Sequence, residues 1–277
     1  VDSVMVFKEC NVGSAKPSNF ILKKHPHHLV NYVSLNCIFS VADFYQTAMK
    51  LIDSIHDKNK VPLLVGGSMM YFNLLKNGLS VLPSANKSLR EYLETRILEH
   101  GIETVYADLT KLDPKAAKKI KPQDTQRIIR AIEVVTATGK SMNANFASKE
   151  PIRLKENYEP IEFGILPEER SEVHKRIESM QGKLVGDSLL EEISKIKINF
   201  DISSAHPAMK AINYKQGLDV IEGNIEKSEL FEKSLFATRQ FAKRQCTWMR
   251  GWENLISFDL HQRDEATEEL KKQLNLL

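Results

Sequence analysis

Long apolar runs are missing from this sequence. Nothing in its 277 residues approaches the roughly 20 consecutive apolar positions that a membrane-spanning helix needs, and the longest candidates, such as Val61–Val65, are the length of a strand. No membrane partner is therefore expected. Cysteine is scarce as well: Cys10, Cys37 and Cys246 stand far apart and in no C-x-x-C pair, which argues against a disulfide framework or a zinc finger and fits a reducing, cytoplasmic setting. No charged segment leading into a signal-type apolar stretch is present. The histidines, His25, His27 and His28 included, show no metal-ligand spacing, so no protein-only metal site is expected. A large charge imbalance is lacking too. With a net charge of only +3, composition does not announce a nucleic-acid partner, and the placement of the charges has to be read instead. There is no internal repeat and no low-complexity segment, which excludes a solenoid.

What is present is the material of an ordinary globular chain, long enough for one large domain or a core with an insert. Lys60–Ser68 reads as a short buried strand that breaks at Gly66-Gly67, with a helix from about Met69 to Leu75. Ser40 is placed to cap a helix carrying Phe44, Ala48, Leu51 and Ile55 on one stripe. Ile161–Ile165 and Leu255–Asp259 are two further strand candidates, with long helical stretches between the strands. That pattern is α/β with a mostly parallel sheet. Between residues 80 and 155 no strand is convincing. Helical patterns at roughly 87–99, 101–111 and 125–138, broken by Pro83, Pro114 and Pro122, mark a helical insertion domain at 80–155 within an α/β core formed by 1–79 and 156–277.

Two basic constellations stand out. From Lys233 to Trp252 there is no Asp or Glu, yet Lys233, Arg239, Lys243, Arg244 and Arg250 all fall there. Surface helices ordinarily mix both signs, so this run points to phosphate or nucleic acid, although a solvated helix face is the plainer alternative. The second runs from Pro114 to Arg130. Ile128, Ile129, Ile132 and Val135 can be buried there, while Gln126, Arg127 and Arg130 share another face at a helix start, which suits an anion; a salt-bridged helix is the alternative. Asp2-Ser3 follows what reads as the end of a strand, a position where α/β proteins place functional groups, and Gly66-Gly67-Ser68 would let a ligand approach the backbone.

Taken in order, these segments resemble one family. The pair Asp2-Ser3, then Val12-Gly-Ser-Ala-Lys-Pro17, Ser40–Phe44, Leu64–Ser68 with Tyr71, and Leu79–Pro83 occur in sequence. They are followed by Asp113-Pro114, Asp124–Glu133, Thr138-Gly-Lys140 and a closing block, Ala237–Trp248 with Arg250 and Trp252. By these motifs, running from Val1 to about Asp259, the chain is similar to the bacterial tRNA dimethylallyltransferases, or IPP transferases.

The resemblance implies a P-loop NTPase-like parallel-sheet core and a helical insertion domain that contacts tRNA. It implies transfer of a dimethylallyl group from dimethylallyl pyrophosphate to N6 of a flipped-out adenine next to the anticodon, with Mg²⁺ bound alongside the pyrophosphate. The partners are then a tRNA anticodon stem-loop and dimethylallyl pyrophosphate, and the chain is expected to act as a monomer. Asp2 matches the catalytic aspartate that takes the amine proton, and Arg127 an essential charge. Substrate contacts carry over to Asp2, Ser3, Val4 and Met5; to Ser68, where the family usually has threonine; to Arg90; and to Gln126, Arg127, Ile128, Ile129 and Arg130. They carry over also to Lys210, Ala211, Ile212, Asn213, Tyr214 and Lys215, and to Thr238, Arg239, Gln240, Phe241, Ala242, Lys243, Arg244 and Gln245.

Three departures accompany the match. The family's phosphate loop, G-x-x-x-x-G-K-[ST], precedes the Asp-Ser pair, and residues 1–277 contain no such motif, so this chain by itself is expected not to turn over. Met180 stands where the family's H-x-R-I-x-x-R, here His174 and Arg176 onward, has its second arginine. Asn213-Tyr-Lys215 stands where the family has G-Y-R. Two other readings stay open on these grounds: a non-catalytic remnant that binds tRNA, and a prenyltransferase of free adenine nucleotides.

Overall fold

The computed structural model describes residues 1–79, 82–83, 85–142 and 154–274. Ser80 and Val81 of the Leu79–Pro83 motif lie outside the described residues. Two compact units emerge: Val1–Leu74 with Tyr158–Leu277, and Leu75–Asn157.

In the first unit the chain opens with turns rather than regular structure, held by a parallel bridge between Phe7 and Val33. A short helix, α1 (Asn19–Lys24), follows. Helix α2 (Val41–His56) begins at Ser40, whose side chain accepts from the Asp43 amide while the Asp43 carboxylate accepts from the Ser40 amide. This reciprocal cap is what the S-x-x-D spacing provides. The buried face of α2 is Phe44, Tyr45, Ala48 and Ile52. Two members of the expected stripe, Leu51 and Ile55, are only half-buried, while Phe44 stacks on Tyr71 at a 3.9 Å ring separation. Tyr71 belongs to α3 (Met69–Asn77).

The strand expected at Lys60–Ser68 is not formed. Residues 61–66 are without regular structure, and Val61, Leu63 and Val65 are 62–71% exposed. A strand is defined by its ladder, and among the described residues this apolar segment is in none. The other two candidates do pair. Strand β1 (Phe163–Ile165) and β2 (Ile256–Phe258) run parallel in the register Phe163–Ile256, Gly164–Ser257 and Ile165–Phe258. Four helices complete the unit between and after them: α8 (Arg170–Leu184), α9 (Asp187–Asn199), α10 (Tyr214–Ile221) and α11 (Leu230–Arg250), with α12 (Arg263–Gln273) after β2. Val6, Phe7, Cys10, Leu35, Leu189, Ile193, Met209 and Tyr214 form the core, and each large apolar side chain there contributes about 1.5–3 kcal/mol.

The second unit is helical throughout its described residues. Helix α4 (Lys87–His100) starts at the Asn86 cap; α5 (Ile102–Leu112) leads to α6 (Pro114–Ala117), capped by Asp113 with proline at its first position. Helix α7 (Thr125–Thr138) is capped by Asp124 and stops at Gly139, whose φ of 64° is the left-handed conformation a helix end takes at glycine. Leu93, Val105, Leu109, Ile128, Ile129, Ala131 and Ile132 fill its core. Among the described residues no helix is long and apolar enough to cross a membrane.

Candidate functional site

Each unit holds part of the expected site. In the α/β unit, Asp2 makes a tight turn: its Oδ1 accepts from the Val4 amide at 2.7 Å and the Met5 amide at 2.9 Å. Both bonds use one oxygen, and among the described residues Oδ2 has no hydrogen-bond partner. Val4 packs against the core, Met5 is half-buried, and Ser3 is exposed. Tyr71 lies within electrostatic reach: burial first, then the Asp2 and Asp43 carboxylates, push its hydroxyl up to about 12. The Gly66-Gly67-Ser68 turn meets the same segment. The Val1 nitrogen donates to the Val65 carbonyl at 2.5 Å, and a Cβ on Gly66 would stand 2.0 Å from the Val1 carbonyl oxygen, so only glycine permits that approach. From the other side Gln245 of α11 donates through Nε2 to the Gly67 carbonyl at 2.9 Å. Three segments expected from the sequence, around Asp2, Ser68 and Gln245, thus meet. Ser68 is half-buried and its carbonyl accepts from the Tyr71 amide at the start of α3.

Helix α11 divides its basic residues into paired and unpaired ones. Its first half packs on α8, where the Gln181 Nε2 donates to Thr238 Oγ1 at 2.7 Å and Arg239 pairs with Glu178 at 3.1 Å. Gln240 and Ala242 are half-buried on the same helix. Lys243, Arg244 and Arg250 are exposed, and among the described residues none of them is in an ion pair. Arg244 instead lies over the Phe241 ring, 5.6 Å from its centre, and Trp248 is exposed one turn further on. The acid that serves Arg239 of this helix from outside it is Glu178 of α8.

The Lys210–Lys215 stretch is only partly a surface. Lys210 is exposed and Lys215, also exposed, pairs with Asp219 at 2.9 Å, whereas Ala211 and Ile212 are half-buried. Asn213 and Tyr214 are buried, Tyr214 completely, so neither side chain reaches a ligand at the surface. The Tyr214 hydroxyl donates to Glu192 at 2.6 Å, and burial drives its ionisation far up.

In the helical unit the expected anion site is rearranged. Arg127 is 72% exposed but turns back to pair with Asp124, the cap of its own helix. Arg130 donates to the Pro83 carbonyl at 2.8 Å and to Glu133 at 3.4 Å. Arg90 pairs with the same Glu133 oxygen at 2.7 Å, and the Asn86 amide takes the other oxygen. Ile128 and Ile129 are core side chains, closed to any ligand. Gln126 is exposed, and with Arg127 it forms the surface of this helix start. Glu133 escaped notice in the sequence although it sits within the Asp124–Glu133 block, three residues after Arg130, a spacing at which opposite charges meet.

The described residues also bring Glu172, Asp259 and His261 within 4.8 Å of one another, a grouping that no sequence spacing announced. His261 already contacts Glu172, and Asp259 accepts the Glu168 amide.

A mostly helical α/β chain with a small parallel sheet and a separate helical unit fits the P-loop-like α/β class. A family model described as IPP transferase matches residues 5–252, and the chain belongs to that family. A tRNA dimethylallyltransferase from Nitrosomonas eutropha is 38% identical over 259 residues, covering 94% of this chain and 81% of the relative. Among solved structures, the full-length tRNA isopentenylpyrophosphate transferase of Bacillus halodurans superposes with a TM-score of 0.67 at 29% identity, over 99% of this chain and 85% of that one. A eukaryotic dimethylallyltransferase solved acting on tRNA gives 0.76 at 20% identity, over 98% and 70%, which speaks for the fold alone.

Proposed function

We propose that this chain is a tRNA dimethylallyltransferase that moves a dimethylallyl group from dimethylallyl pyrophosphate to N6 of the adenine beside the anticodon, acting as a cytoplasmic monomer. The observation that carries this reading is the meeting of Asp2, the Gly66-Gly67-Ser68 turn and Gln245 at the end of a helix with unpaired basic side chains. N6 attacks C1 of the prenyl group, the C1–O bond breaks, and pyrophosphate leaves with the bonding pair. The proton released from N6 goes to Asp2 Oδ2, which its turn leaves free and aimed by two amides on Oδ1. Lys243, Arg244 and Arg250 hold the RNA backbone, and the Arg244–Phe241 pair offers a stacking surface beside it. In the helical unit Gln126 and Arg127 are the contacts proposed for tRNA, while Arg90 and Arg130 act mainly through Glu133.

The family reading also implies Mg²⁺ with the pyrophosphate. Among the described residues no group of three carboxylate, histidine or cysteine side chains includes Asp2, so a bound Mg²⁺ would depend on the pyrophosphate oxygens and water for most of its ligands.

The test is Asp2→Ala in a chain that carries the family's phosphate loop ahead of Val1. Single-turnover transfer should fall ~10²–10⁴-fold while stem-loop affinity changes little. Equal rates in variant and parent would make Asp2 a turn residue only.

A further inference from the structure

One carboxylate, on Glu192, joins two stretches of the α/β unit whose residues Gly13 and Asn213 are 200 residues apart in the chain. Glu192, on α9, accepts through Oε2 from the amides of Asn11 at 3.0 Å and Val12 at 2.8 Å, and through Oε1 from the Gly13 amide at 3.3 Å. Three successive backbone amides form an anion-binding nest, and here the anion is the protein's own side chain. The same Oε1 accepts from the Tyr214 hydroxyl at 2.6 Å. Two further contacts close the joint. Asn213 donates through Nδ2 to the Gly13 carbonyl at 2.9 Å, and a Cβ on Gly13 would come within 2.7 Å of the Tyr214 ring. Lys16 ties the loop back toward its start, its Nζ donating to the Phe7 carbonyl at 2.6 Å and to Asn31 Oδ1 at 2.7 Å. Phe7 and Cys10 are core residues shared with Tyr214, so the segment running from Asp2 into the nest is packed as well as bonded.

We propose that Glu192 is a positioning residue for prenyl transfer, fixing the segment that begins at Asp2 against the Lys210–Lys215 stretch by accepting from Asn11–Gly13 and Tyr214 at once. Its side chain touches no substrate. Its importance for transfer rests on the function proposed above, whereas the mechanical coupling does not.

Hydrogen exchange and RNA binding test the two parts separately, on Glu192→Gln and the milder Tyr214→Phe. Glutamine keeps the shape but turns a donor group toward amides that need an acceptor. Exchange in Glu192→Gln should quicken ~10-fold or more at residues 11–13 and, together with them, at the Lys215 and Gly217 amides, which bond to Ala211 and Asn213. Tyr214→Phe should show the same pattern at smaller size. Affinity for an anticodon stem-loop RNA should drop while the slope of log K against log salt stays put, because no phosphate-facing cation is removed. Faster exchange at 11–13 with Lys215 and Gly217 unmoved overturns the coupling. Uniformly faster exchange, reaching the helices of the second unit, also overturns it, since Glu192 would then merely stabilise the fold. If the parent chain fails to bind the RNA, the tRNA function falls, and the exchange pattern still decides whether Glu192 couples the two stretches.

Discussion

Helix α11 allows a quantitative separation of RNA-facing from fold-facing charges. Lys243 and Arg244 are exposed and without ion pairs among the described residues, whereas Arg239 is held by Glu178 and is 30% exposed at its side chain. A cation that neutralises a phosphate of a single strand releases counterions worth ~0.7 in the slope of log K against log salt. Replacing Lys243 and Arg244 by Gln should therefore flatten the slope for an anticodon stem-loop by about 1.4. Arg239→Gln should leave it nearly unchanged and instead lower stability by ~1 kcal/mol or less, as loss of a solvent-screened pair does. Fluorescence anisotropy at five or six salt concentrations measures the slopes, and circular dichroism confirms that each variant is folded. An undiminished slope in the double variant would refute the RNA role of this helix; an equal drop from Arg239→Gln would refute the division made here.

Three further outcomes are expected. Glu133→Gln removes the shared partner of Arg90 and Arg130 from a site where the carboxylate is 1% exposed, and should lower the urea-unfolding stability of the helical unit by about 2–4 kcal/mol, below the full buried-pair value because Arg90 is partly solvated. His206 is buried, its Nδ1 accepting from the Ala208 amide, and burial holds its imidazole below the ordinary 6.5; stability should be fully present above about pH 6.5 and decline as pH falls through the lower folded value, a slope that His206→Gln should reduce. Gly67→Ala would place a Cβ 2.2 Å from Gln245 Nε2, the end of a flexible side chain, so stability should change by ~1 kcal/mol or less while the Gln245–Gly67 bond is lost and RNA affinity falls.

Local rules made much of the fold legible. Ser40 with Asp43, Asp124 before Thr125, and Gly139 after Thr138 are caps whose chemistry is written within four residues, and the helices start and stop where they say. The apolar runs at Phe163–Ile165 and Ile256–Phe258 became paired strands, but the equally apolar Val61–Val65 did not, because a run of residues cannot show whether a neighbour completes its ladder. At the site, residue types were legible and their directions were not. Arg127 and Arg130 share a helix face, yet each is captured by an acid three residues away, Asp124 or Glu133. Glu192 was beyond reach in the sequence, since its partners lie near residue 12 and nothing local marks a carboxylate that fills a distant nest.

Two of the three departures from the family pattern carry different weight once their surroundings are known. Asn213 stands where the family resemblance expects a glycine, and its backbone has φ of 73° and ψ of −47°, close to the strained γ-turn that glycine tolerates best. Asparagine is the side chain that enters positive φ most readily after glycine, and here its Nδ2 also gains the Gly13 carbonyl. The turn demanded by the Glu192 joint is therefore retained, and the substitution preserves geometry. Met180 stands on α8 where the family resemblance expects an arginine and is 40% exposed; no thioether supplies the five donors or the charge of a guanidinium. A remnant that had lost its task would be expected to relax first at strained, buried joints, and that joint is intact. Met180→Arg would restore a charge at a half-exposed position, and an unchanged RNA affinity in that variant would show that the charge is not needed there.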